Sequence, residues 1–187
     1  VDRYPWLQIR AGGFEKMREI LRGFRRQVVV VETGCYRGHE EGDGASTKVL
    51  RDIVGEIGGR MISIDIEEKH CAIARVACPE VRVICGDSIK VLWELGGMGV
   101  KVDLLYLDSM DGDWANMIPS AVHHLGELCA ASRMLWEGSA VFVDDNREDG
   151  VGKGMFVKSF LKDIGAEQVW DGYNIGFVLP RPVFVEV

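Results

Sequence analysis

The sequence predicts an α/β fold: a doubly wound, mostly parallel, seven-stranded Rossmann-like sheet with a C-terminal antiparallel hairpin. Three observations predict it. Val28-Val29-Val30-Val31 is an apolar run without alternation, the pattern of a strand covered on both faces. Short apolar runs then alternate with segments of helical spacing, as repeated βα units do. Near the C-terminus two last runs flank Asp171-Gly172-Tyr173-Asn174, a hairpin turn signal.

Each element follows in order. Phe14, Met17, Ile20, Leu21 and Phe24 recur at helical spacing and predict a helix against a sheet face. Residues 27–32 form the first strand, closing on Glu32 and leading into Gly34-Cys35-Tyr36-Arg37-Gly38. A polar insert follows at 39–44, and then Ala45-Ser46-Thr47, which suits the cap of a helix carrying Val49, Leu50, Ile53, Val54 and Ile57. Gly58-Gly59 ends that helix. Residues 61–66 form the second strand, with Asp65 near its end. A helix over 67–77 has acids in its first turn, where they suit the macrodipole, and Pro79 stops it. Residues 81–85 form the third strand, ending at Gly86-Asp87-Ser88, and a short helix over 89–95 closes at Gly96-Gly97. Residues 102–108 form the fourth strand, ending at Asp108, and a long helix is expected over 114–135, with Pro119 in its first turn. Residues 139–144 form the fifth strand, ending at Asp145-Asn146. Residues 150–154 loop into a helix carrying Phe156, Val157, Phe160 and Leu161. The hairpin strands lie near 167–170 and 175–179.

The bulk properties narrow the classes. The 187 residues suit a single domain over 1–187 with a real core. A net charge of −7 argues against a sequence-blind grip on nucleic acid, so nucleic acid is not the expected partner. No apolar run approaches membrane-spanning length, and no membrane partner is expected. The first residues lack the order of a signal peptide, although a start at Val1 leaves an earlier extension open. Five cysteines without a CxxC pair argue against a disulfide framework or zinc site, and a cytoplasmic setting follows. A homo-oligomer is left open.

Glu32, Asp65, Asp87, Asp108 and Asp145 all fall at or just beyond predicted strand ends, where ligands of open α/β sheets bind. Gly34 and Gly38 lack the middle glycine of a dinucleotide loop, and no Walker loop exists; Gly150-Val151-Gly152-Lys153-Gly154 is only an echo of one. An acid before the glycines suits a cationic ligand without phosphates.

Glu32-x-Gly34-x-x-x-Gly38 resembles the first motif of the class I S-adenosylmethionine-dependent methyltransferases. Asp65 is similar to their ribose-holding acid, Gly86-Asp87-Ser88 to their adenine-contacting segment and Asp108 to the acid after strand four. A finer resemblance is to metal-dependent O-methyltransferases of the catechol type, through Leu105-Tyr106-Leu107-Asp108, Val143-Asp144-Asp145-Asn146 and Cys71-Ala72-Ile73-Ala74. The resemblance implies S-adenosyl-L-methionine as cofactor, held by Glu32, Gly34, Tyr36, Gly38, Ser46, Asp65, Ile66, Asp87, Ser88 and Asp108. It implies Mg²⁺ held by Asp108, Asp145 and Asn146, and a small-molecule hydroxyl as acceptor. An all-oxygen set of this kind suits Mg²⁺, which would make a bound hydroxyl the better nucleophile.

One departure concerns the base. Where catechol-type enzymes place lysine, three residues after the strand-four acid, this chain has Asp111, the candidate catalytic base; His123 and His124 are alternatives. The 39–44 insert is also foreign to that pattern. Three other readings stay open: a cofactor-binding module without catalysis, a metal-independent transferase to nitrogen or nucleic acid, and a nicotinamide oxidoreductase. Strand-end acids such as Asp87 and Asp145 also serve as plain helix caps, and Tyr36 as packing.

Overall fold

A computed structural model describes residues 4–38 and 45–180. Its sheet has seven strands in the order β3-β2-β1-β4-β5-β7-β6. These are β1 (Val28–Thr33), β2 (Gly59–Asp65), β3 (Arg82–Cys85), β4 (Leu104–Leu107), β5 (Ala140–Val143), β6 (Glu167–Asp171) and β7 (Ile175–Val178). β1 to β5 pair in parallel, and β7 runs antiparallel to both β5 and β6. This is the expected doubly wound sheet with its terminal hairpin.

The unalternating strands are explained by two apolar layers. Val28, Val30, Leu104, Tyr106 and Phe142 face one layer with Phe14, Met17 and Leu21 of α1 (Ala11–Arg22) and Leu50 and Ile53 of α2 (Ser46–Ile57). Their neighbours Val31, Leu105, Leu107, Val141 and Val143 face the other layer. That layer holds Leu92 of α4 (Ser88–Gly97), Leu128 of α5 (Ile118–Ala130) and Leu161 of α6 (Met155–Asp163). α3 (Glu68–Ala77) lies beside β2 and β3. Successive strand residues bury on opposite faces, so both must be apolar.

Two expectations about helix starts are corrected. α5 begins at Ile118, not near 114, because Asp113 turns the chain first: its Oδ1 accepts the Ala115 N–H at 2.9 Å, and its carbonyl accepts the Asn116 N–H at 2.8 Å. Met134 and Leu135 keep helical spacing beyond the helix because the turns that follow are still buried in the core. Ser46 and Thr47 do not cap α2, since their hydroxyls serve Glu32 instead. The insert at 39–44 lies outside the described residues. Among the described residues no helix is long and apolar enough to cross a membrane.

Candidate active site

The strand order reverses between β1 and β4, so a crevice opens at their carboxyl ends. Gly34 lines it. Its φ of +83° favours glycine, and a Cβ there would stand 2.4 Å from the Asp108 carbonyl oxygen. The Gly34 N–H donates to Ile64 O at 2.7 Å, and the Cys35 N–H donates to Asp65 Oδ2 at 3.0 Å. Asp65 Oδ1 accepts the Glu67 N–H at 2.8 Å, and the Gly86 N–H donates to the Asp65 carbonyl. One acid therefore ties together the loops after β1, β2 and β3. Ile66 beside it is 67% exposed, an apolar face open to a flat ring.

The other expected cofactor residues are placed differently from one another. Glu32 is wholly buried and does not face the crevice; Ser46, Thr47 and Ser63 all donate to its carboxylate, at 2.5, 2.7 and 2.7 Å. Burial pushes its carboxyl up to about 8 against those three donors. Glu32 and Ser46, both expected at the cofactor, are thus hydrogen-bonded to each other. Tyr36 is buried with Cys35 and Ala74 and takes the Lys48 ammonium on its ring at 3.9 Å, which is the packing reading. Gly38, at φ +95°, abuts Ile73. Asp87 caps α4, accepting the Lys90 N–H at 3.0 Å. Ser88 is buried, with its Oγ 3.3 Å from His123 Nε2.

Asp111 is an exposed carboxylate clamped by Arg37 at 2.9 and 3.1 Å. The Arg37 hydrogen bond holds its carboxyl below the usual range, which weakens it as a base. His124 is buried, and burial lowers its imidazole to about 4. His123 stands 3.4 Å from buried Glu127, which raises it.

The residues expected to hold a metal have other partners in the structure. Lys153 Nζ lies between two of them, 2.5 Å from Asp108 Oδ1 and 2.8 Å from Asp145 Oδ2. The third, Asn146, has its carboxamide already engaged. Its Oδ1 accepts the Gly154 N–H at 2.9 Å, and its Nδ2 donates to the Val143 and Asp144 carbonyls at 2.9 Å. Among the described residues no group of three His, Cys, Asp or Glu side chains is arranged to hold a metal ion.

Several members of this cluster were not singled out in the sequence. Arg10 reaches Asp144 Oδ2 at 3.0 Å and Asp145 Oδ1 at 3.1 Å, and its guanidinium lies 5.0 Å from the Tyr173 ring centre. Burial, then the Asp108 charge, push the Asp144 carboxyl well up. For Lys153, burial pulls the ammonium down, but Asp108 and Asp145 more than offset it and the net shift is upward. Glu127 accepts from Ser109 Oγ at 2.6 Å and Thr33 Oγ1 at 3.2 Å beneath the crevice. Lys153 was visible only as part of a glycine echo, and Arg10 and Glu127 sit on helices with no local motif. A groove of about 690 Å³ beside α2 and the start of β2 lies away from all of these residues.

No protein-family model and no curated protein matches the chain. Solved structures do. The chain is similar to the MycE methyltransferase of mycinamycin biosynthesis, solved with Mg and S-adenosylhomocysteine, at 16% identity and a TM-score of 0.63 over 90% of this chain and 48% of that one. It is similar to the fibrillarin pre-rRNA processing protein of Methanococcus jannaschii at 19% identity and a TM-score of 0.58, over 83% and 68% of the two chains. Fibrillarin of Aeropyrum pernix, with natively bound S-adenosyl-L-methionine, matches at 16% identity and a TM-score of 0.58 over 88% and 74%. The chain spans about half the length of the MycE structure. These likenesses show the fold: it is the one used by class I S-adenosylmethionine-dependent methyltransferases.

Proposed function

We propose that this chain is an S-adenosyl-L-methionine-dependent methyltransferase acting on a hydroxyl of a small molecule. The observation that carries the reading is Asp65. It sits at the end of β2, bonded to the glycine loop through the Cys35 N–H, with exposed Ile66 beside it. Asp65 Oδ2 accepts the Cys35 N–H and keeps a second lone pair, while Oδ1 accepts the Glu67 N–H and stands 3.5 Å from His70 Nδ1; the carboxylate thus still offers an acceptor to a ribose diol. Ile66 would then lie against the adenine, and Gly34 would let the methionine end approach the backbone.

Transfer to oxygen forms a carbon–oxygen bond, breaks the sulfonium carbon–sulfur bond and releases the acceptor's proton. Cofactor and acceptor must be held in line, so the protein's main contribution is positioning. Asp108, whose backbone abuts Gly34, stands beside the glycine turn at the end of β4. The loop after it carries Met110 and Trp114, 40% and 43% exposed, and Arg147 stacks over Trp114 at 5.7 Å. An apolar rim of this kind fits a small organic acceptor. A net charge of −7 disfavours a nucleic-acid acceptor. Magnesium assistance forms no part of this reading, because Lys153 stands between two of the expected ligands, Asp108 and Asp145, and the carboxamide of the third, Asn146, is already hydrogen-bonded.

Calorimetry with S-adenosylmethionine and S-adenosylhomocysteine tests the cofactor, with NAD(P) as the control. Both sulfur compounds should bind and the nicotinamide should not. Failure of both to bind overturns the proposal. Binding without turnover across phenolic, catecholic and sugar hydroxyls would favour a module without its own chemistry.

A further inference from the structure

We infer that Lys153 is the resident cation of this site, standing between Asp108 and Asp145 where the family resemblance places a divalent metal ion. The inference rests on the methyltransferase reading for what the site does, and on side-chain geometry for what fills it.

The ammonium lies 2.5 Å from Asp108 Oδ1 and 2.8 Å from Asp145 Oδ2, and the Lys153 side chain is 1% exposed. A Mg²⁺ ion needs oxygen ligands at about 2.0–2.1 Å in near-octahedral array. It would compete for the same two carboxylates with a cation that the chain itself supplies.

If Asn146 turned its Oδ1 toward a metal, the buried Gly154 N–H would lose its acceptor, and both Nδ2 bonds to the Val143 and Asp144 carbonyls would break. Buried groups left unpaired in this way are destabilising. Asn146 instead clasps the loop from 144 to 154, and its own N–H donates to Tyr173 O at 2.7 Å.

The backbone on either side of Lys153 packs closely against its neighbours. A Cβ at Gly152 would come within 2.4 Å of the Asp145 carbonyl oxygen, and one at Gly154 within 2.5 Å of Ile175 Cδ1. Glycine at 152 is what lets this strap lie against the backbone of the 145–146 turn, and at 154 a side chain would press on Ile175 and the Asn146 carboxamide. The Lys153 N–H then donates to Asp145 O at 3.1 Å, and the side chain runs inward to the acids. The Gly-Val-Gly-Lys-Gly segment, which binds no phosphate by its pattern, is thereby explained as the device that delivers a lysine to the strand ends. Arg10 holds the far side of Asp145, so that carboxylate has a cation on each oxygen.

The test is a Mn²⁺ titration of the purified chain read by electron paramagnetic resonance, alongside S-adenosylhomocysteine calorimetry with and without EDTA. The wild type should leave the free Mn²⁺ signal undiminished through the millimolar range, and EDTA should not change S-adenosylhomocysteine affinity. Lys153→Met, which removes the ammonium shared by Asp108 and Asp145 while Arg10 stays on the far oxygen of Asp145, should gain Mn²⁺ binding and a Tm that rises with added Mg²⁺. One Mn²⁺ bound per wild-type chain and lost in Asp108→Asn would overturn the inference. So would a folded Lys153→Met that binds no more Mn²⁺ than wild type. If Lys153→Met does not fold, the wild-type and Asp108→Asn titrations decide. Loss of S-adenosylhomocysteine binding alone would count against the methyltransferase reading and leave the Mn²⁺ result standing.

Discussion

Glu32 of β1 and Ser63 of β2 are register partners in the parallel sheet, and Ser63 Oγ donates to Glu32 Oε2 at 2.7 Å inside the protein. With Ser46 and Thr47 donating as well, this carboxylate belongs to the α2 layer of the fold, not to the crevice.

A pH dependence of stability follows. Unfolded, a glutamate titrates near about 4.3. Folded, burial pushes Glu32 up to about 8. Between those values the folded chain holds a proton that the unfolded chain has lost. Stability from this group therefore falls as pH rises from about 4.3 to about 8 and is level above, a loss of up to a few kcal/mol. Glu32→Gln is neutral throughout and should flatten that slope. Urea midpoints of both proteins across the range measure it, and parallel curves would refute the assignment.

The Gly34 contact gives a second expectation. Alanine at this position meets both the φ of +83° and the Asp108 carbonyl at 2.4 Å. The left-handed backbone alone costs about 1–2 kcal/mol, and the clash must move β1 or the loop after β4. Gly34→Ala should lower Tm by several degrees and weaken S-adenosylhomocysteine binding by at least about tenfold, roughly 1.4 kcal/mol. Calorimetry at a temperature where the variant is folded separates the two effects. Unchanged affinity would mean that the cofactor does not use this turn.

Asp111 yields a contrary expectation. An exposed Arg–carboxylate pair contributes about 0–1 kcal/mol, and Arg37 holds this carboxyl low. Asp111→Asn should therefore keep kcat within about threefold of wild type, less than the loss of a general base, which costs about a hundredfold or more. A hundredfold fall would restore Asp111 as the base.

How much was legible in the sequence depended on whether a feature was local. Strands buried on both faces announce themselves, because Val28 to Val31 must serve two apolar layers at once. The hairpin showed in Asp171-Gly172-Tyr173-Asn174 for the same local reason. Asp65 and Gly34 were legible because a strand end and a positive φ leave marks in adjacent residues. Direction was not legible: Glu32 and Asp65 look alike as strand-end acids, yet Glu32 points into the α2 layer and Asp65 under the glycine loop. Partnership at long range was not legible either. Lys153 meets Asp108 across 45 positions, and Arg10 meets Asp145 across 135. No spacing rule encodes such pairs.

Glu127 is one of those long-range partners, and it gives the last expectation. It is buried in α5, accepts from Ser109 and Thr33, and lies 3.4 Å from His123 Nε2. Its hydrogen bond raises the His123 imidazole above the ordinary histidine value. A histidine raised on folding adds stability that is fully present below its unfolded pKa, near about 6.5, and is lost as pH rises through the folded value. Glu127→Gln keeps the shape but removes the charge. It should return the His123 titration toward the ordinary value, followed by NMR of the imidazole protons. It should also cost about 1–3 kcal/mol in stability, since the buried acceptor for Ser109 and Thr33 is weakened. An unmoved His123 titration in a folded Glu127→Gln protein would show that another group sets it.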